Sequence, residues 1–130
     1  MSNKRAKQAT YWMTTVALSA TVVVAGLTCV THRPSTEQEF QRLGYPLYLM
    51  SLLGVSAILG ACILVLPRWT LVKEWAYAGF VYAFIGALSS HIATGDSKGV
   101  TAAASVLVLL VISYLTRPSN RRLAFWSPGY

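Results

Sequence analysis

What most constrains this chain is where charge is missing. Its 11 Lys and Arg and 4 Asp and Glu leave four uncharged stretches, residues 8–32, 43–67, 75–95 and 99–116, of 25, 25, 21 and 18 residues. A bilayer hydrocarbon core is about 30 Å thick and takes roughly 20 apolar residues per helix, so each stretch is long enough to span it. The expectation is an all-α membrane protein, a four-transmembrane-helix bundle with spans over about 10–31, 45–66, 74–93 and 99–116. Residues 1–9 form a basic segment before this domain of residues 10–117, and residues 118–130 a basic and aromatic tail. The segments between spans are too short for a Rossmann unit, a barrel or a nucleotide-binding domain. A soluble enzyme finds no support either, because the sequence holds no Gly-rich phosphate loop, nucleophile elbow or paired carboxylates.

The formal net charge of +7 reports topology. Lys4, Arg5, Lys7, Arg68, Lys73, Arg117, Arg121 and Arg122 fall at the termini and second loop, against Arg33, Arg42 and Lys98 in the other two loops. The positive-inside rule then predicts cytoplasmic N- and C-termini, with the basic face toward anionic lipid headgroups, and the expected location is an inner or plasma membrane, a bacterial inner membrane first. No nucleic-acid partner is expected. A secretory signal peptide would also start with Lys4, Arg5 and Lys7, but the uncharged run to about Val30 is longer than a usual h-region, so this reads as a retained helix.

The first loop, residues 31–43, reads as a short interfacial stretch that ends at Gly44-Tyr45-Pro46. Gly95-Asp96 makes the third loop a tight turn and the last two spans antiparallel neighbours. Cys29 and Cys62 fall toward opposite faces, on the order of 20 Å apart by helical rise, which rules out a disulfide and favours two small buried apolar residues. His32 and His91 have no partner at metal-ligand spacing, so no metal site is expected.

The third span is the most informative. Ala76, Gly79, Ala83, Gly86 and Ser90 recur at steps of three and four, a small-residue stripe of the kind that packs helices closely in lipid. Its partner is a helix of the same chain or of a second copy in a homo-oligomer. Beside it runs a second stripe of Lys73, Tyr77, Phe80, Phe84, Ala87 and His91. His91 is the one ionisable group well inside a span, read either as hydrogen-bond donor or proton carrier for a ligand, or as an interfacial histidine bonded to a neighbouring helix. Lys73 and Glu74 point about 100° apart and need separate partners. Tyr45 and Tyr48 lie near His91 in depth and Tyr114 near Glu74. The ligand-binding candidates are therefore His91, Tyr77, Phe84, Tyr45, Tyr48, Lys73 and Glu74. No catalytic residue stands out.

Gly44-Tyr45-Pro46, Gly54, Gly60, Pro67, the run Lys73-Glu74-Trp75-Ala76-Tyr77-Ala78-Gly79, then Gly86-Ala87, Ser90-His91 and Gly95-Asp96 resemble the pattern of the DoxX-like family of small four-helix membrane proteins. The resemblance covers about residues 11–118. It implies a place near membrane redox chemistry or assembly, since the wider group is linked to thiosulfate:quinone oxidoreductase, to oxidoreductase complexes in thiol stress and to receptor assembly. Two functions follow as expectations. One is a subunit of a membrane redox system that binds a lipophilic, quinone-like molecule, in a cavity on which His91 and an outer tyrosine converge. The other is a non-catalytic assembly or interaction factor for a larger membrane partner such as an oxidoreductase. No other cofactor is evident. A small multidrug transporter ranks last, because its proton coupling needs a carboxylate inside the bundle and residues 8–32 hold none.

Overall fold

A computed structural model describes residues 2–123 and is helical throughout its regular structure. Five α-helices follow one another: α1 (Ser2–Val30), α2 (Pro34–Arg42), α3 (Leu47–Val65), α4 (Thr70–Ala93) and α5 (Ser97–Leu115), with a 3-10 turn over Ser119–Arg121. α1, α3, α4 and α5 are long and apolar enough to cross a membrane. α1 starts at Ser2 and runs through the basic residues 2–9 without a break. The first loop contains helix α2, and α4 begins at Thr70, a turn before the charge-free stretch. Of the tail, residues 124–130 lie outside the described residues.

The four long helices form an up-and-down ring in which α1 packs on α3 and α5, and α4 packs on α5 and α3. We call the end that carries the start of α1 and the end of α5 the terminal end and the opposite one the far end. The core runs down the middle of the ring through Leu18 and Val22 of α1, Ala61 and Leu64 of α3, Tyr77 and Phe80 of α4, and Val106 and Leu110 of α5. A polar seam crosses it toward the terminal end. There Ser113 Oγ lies 2.7 Å from both Thr15 Oγ1 and Tyr77 OH, so three hydroxyls from three helices satisfy one another away from lipid.

The closest helix approach is between α1 and α3, at Gly26 and Gly54. A Cβ on Gly54 would stand 2.8 Å from the Gly26 carbonyl oxygen, and one on Gly26 would stand 2.9 Å from the Gly54 carbonyl oxygen, so neither position accepts a side chain. Within the chain, the small-residue stripe of α4 is in contact over only part of its length. Ala76 rests on the core and Ser90 bonds to Tyr45, but a Cβ on Gly79 or Gly86 would meet nothing within 4 Å. The cause is an aromatic wedge. The Phe80 ring occupies the space over Gly60, where a Cβ would come within 2.6 Å of its Cζ, and so holds α4 off α3.

Two chain reversals at the far end share one motif. α2 stops with Gly44 at φ +81°, Gly44 N–H donating to Gln41 O and Tyr45 N–H to Phe40 O. α4 stops with Gly95 at φ +69°, Gly95 N–H donating to Ile92 O and Asp96 N–H to His91 O. Both are Schellman stops, in which the left-handed residue is easiest for glycine. Each folds the following residue back over the last helical turn.

Candidate functional site

The wedge leaves a partly open groove of about 540 Å³ along the α3–α4 side of the ring. α1 forms its floor with Val22, Gly26 and Cys29, and α3 contributes Leu53, Gly54, Ala57 and Gly60. α4 closes the other wall with Trp75, Ala76, Gly79, Phe80, Ala83, Phe84 and Ala87, while Phe40 of α2 reaches in from the far end. Among the lining side chains, only Ser56, Cys29 and Trp75 carry a polar atom. Small-molecule sites commonly enclose about 300 to 1,000 Å³ and are mostly apolar with few polar groups, so the size is in range. The small residues of α4, expected as a packing face, here help to make the hollow.

The structure brings Phe84 to this groove and none of the other six binding candidates. Tyr77 is buried in the core on Ser113. Tyr48 is exposed on the outside of the bundle. Lys73, Glu74, Tyr45 and His91 belong to two polar clusters, one at each end.

At the terminal end, the Lys73 side chain is buried, and its ammonium donates to the carbonyls of Ile63 (2.5 Å), Leu64 (3.3 Å) and Leu66. These are the last carbonyls of α3, which have no N–H of their own helix to accept from. Glu74 pairs with Arg117 at 2.7 Å and accepts from Tyr114 OH at 3.0 Å. Arg117 is almost wholly buried, its guanidinium 4.1 Å from the Tyr114 ring centre and 5.0 Å from that of Tyr77. Arg121 closes the cluster over Trp12, at 4.7 Å. Cys62, expected in the interior, faces outward at this end, while Cys29 is half-buried and both thiols are free.

At the far end, His91 stands between two carboxylates, with Nδ1 3.0 Å from Asp96 Oδ2 and Nε2 3.9 Å from Glu39 Oε1. The Schellman stop at Gly95 is what swings Asp96 back over the ring. Gly99 makes the space, since a Cβ there would overlap the imidazole. Arg42 of α2 also pairs with Asp96, at 2.9 Å. The Asp96 carboxyl is held below its ordinary range, first by the Gly99 N–H, with the charges of Arg42 and His91 acting in the same direction. Tyr45 OH bonds to Ser90 one residue away, and its ring lies 6.0 Å from Phe40. Neither His91 nor Tyr45 lines the groove: His91 faces Asp96 and Glu39, and Tyr45 meets Ser90. The physical reason is Asp96, which offers His91 a charged partner that the apolar groove lacks. Glu39, His91 and Asp96 bring ligand atoms within 4.8 Å of one another. Arg42 already supplies a cation to Asp96, at 2.9 Å.

Glu39 and Arg42 were not singled out from the sequence. Their signal was the spacing of three in a loop that turned out to be a helix, which puts both on one face.

A family model, that of the DoxX-like family, matches residues 13–113. Searches of the curated proteins and of the solved structures found no match.

Proposed function

The chain belongs to the DoxX-like family, and from that premise we propose that this integral membrane protein holds a lipophilic, quinone-like molecule in the α3–α4 groove, as an accessory subunit of a bacterial inner-membrane redox system. One observation carries the reading: a hollow of small-ligand size is built from a glycine-lined floor and an aromatic wedge, in the one side of the ring that packs most thinly. Phe40 of α2 lines its far end. Its walls solvate hydrocarbon, and they leave a polar head only the hydroxyl of Ser56, the thiol of Cys29 and the indole of Trp75. Among the described residues the lining holds no carboxylate, imidazole, amine or guanidinium, which favours holding over catalysis.

The test is thermal unfolding of the detergent-solubilised chain with and without decylubiquinone. Gly79→Phe is the discriminating variant, because Gly79 lines the groove, a Cβ there meets nothing within 4 Å, and the added ring is expected to take up groove space. The expected result is a rise in Tm with decylubiquinone for the native chain and none for Gly79→Phe, whose ligand-free transition stays close to native. No rise, or an equal rise in the filled variant, overturns the reading. The open positions at Gly79 and Gly86 favour one second reading, an assembly factor that receives a partner helix on α4. It predicts that Gly79→Phe releases a co-purifying membrane protein and leaves the response to decylubiquinone unchanged.

A further inference from the structure

Helix α2 is held to the bundle in an unusual way. It has no buried residue, and Phe40 is its one side chain in the groove. The rest of its attachment is polar. Arg42 pairs with Asp96 and Glu39 faces His91, both across to the α4–α5 turn. At its start, His32 bridges Glu37 at 3.0 Å and Ser51 of α3 at 2.8 Å. Elements with few buried apolar contacts open at low free energy, and α2 has few.

We propose that α2 is a lid on the far end of the groove, and that His91, set between Glu39 of the lid and Asp96 of the α4–α5 turn, is its protonation-dependent latch. The proposal rests on the groove reading only for what the lid covers. The chemistry lies in the imidazole. A neutral ring has one N–H, and Asp96, at 3.0 Å, is the nearer carboxylate. Nδ1 is not aligned to hydrogen-bond it, and Nε2 stands 3.9 Å from Glu39, so a neutral ring holds neither carboxylate. The imidazolium carries N–H on both nitrogens and attracts both carboxylates. Protonation therefore draws Glu39, and Phe40 beside it, down onto the bundle. Histidine is the side chain that makes this change near neutral pH. The charged groups about the ring are Asp96 from the turn, Glu39 from α2 and, through Asp96, Arg42; the α5 contact is Gly99, which adds no charge. Arg42 stays charged at every pH of interest, so its pair with Asp96 keeps α2 tethered as a hinge while the Glu39 contact switches.

The experiment is hydrogen–deuterium exchange of residues 37–43 in the full, ligand-free chain in detergent, at pH 5.5 and pH 8, corrected for the intrinsic pH dependence of amide exchange. Protection is expected to be a few-fold higher at pH 5.5, the scale of a partly exposed ion pair. His91→Asn and, as a milder change on an exposed residue, Glu39→Gln are each expected to abolish that difference, while protection in α1 and α5 stays native. His32→Asn is expected to keep it. Equal protection at the two pH values, a difference that survives in both His91→Asn and Glu39→Gln, or one that disappears only in His32→Asn, overturns the latch. Because no ligand is present, the measurement stands apart from the decylubiquinone test. A flat exchange profile beside a Tm rise that Gly79→Phe removes sinks the lid alone, and the converse pair of results sinks the groove reading alone.

Discussion

Lys73 is a cation at an apolar interface that, among the described residues, does not meet a carboxylate. Its ammonium sits on three carbonyls at the end of α3, with 1% of the residue exposed. Two forces favour this. The last carbonyls of a helix lack intrahelical donors, and the negative end of the helix dipole attracts a cation. Glu74, its neighbour, turns instead to Arg117 and Tyr114 of the last span. The Lys-Glu pair thus ties α4 to α3 with one residue and to the end of α5 with the other. Lys73→Met keeps the buried length but leaves the carbonyls of Ile63, Leu64 and Leu66 without this donor. The expected loss is about 1 to 3 kcal/mol. A lower Tm of the detergent-solubilised variant checks it, and an unchanged Tm would mean that water serves those carbonyls equally well.

At the scale of elements, the same residue type does opposite work in two helices. Gly26 and Gly54 let α1 and α3 touch backbone to backbone, whereas Gly79 borders open space. Gly54→Ala would place a methyl 2.8 Å from a backbone oxygen that cannot yield without moving the helix. It is expected to lower stability by about 1 to 3 kcal/mol, as overpacking does. Gly79→Ala is expected to be neutral, or to stabilise by up to about 1 kcal/mol through helix propensity. Parallel thermal melts of the two variants decide this, and equal destabilisation would contradict the difference in packing. The element scale also explains why Gly-Tyr and Gly-Asp recur at the far end. Each pair is a helix stop plus the side chain that the stop delivers, Tyr45 to Ser90 in one case and Asp96 to His91 in the other.

At the scale of the whole molecule, four helices in a ring have four sides, and this ring is uneven. α1–α3 and α4–α5 are packed closely, and α3–α4 is the thin side where the groove opens. Lipid tails exert no hydrophobic pressure to close such a gap, so shape alone decides whether a membrane bundle is solid or hollow. The ring also places the start of α1 and the end of α5 at one end, with Arg117, Arg121 and Lys73 beside them. We expect that end to face the cytoplasm. A green fluorescent reporter fused after Tyr130, which matures only in the cytoplasm, is expected to fluoresce, and a reporter in the α4–α5 turn is expected to stay dark.

The sequence by itself determined the number of spans, their approximate ends and the chain reversals at Gly44 and Gly95. Charge exclusion by lipid and the glycine preference for positive φ are local rules, and they act on each segment alone. α2 escaped that reading because its nine residues are polar and make no span. The pairing of Glu74 with Tyr114 was half legible, since both lie at the same depth, but depth cannot say which helices adjoin. Tertiary structure alone decided what each stripe of α4 does. Periodicity assigns Gly79 and Ala83 to one face, and only the Phe80 ring over Gly60 turns that face into a groove wall. Likewise His91 was legible as the one ionisable group inside a span, whereas its partners Glu39 and Asp96 come from α2 and a turn that the folded chain brings together. Which groups meet is set by helix adjacency and by the volume of single side chains, and neither quantity is local to any stretch of sequence.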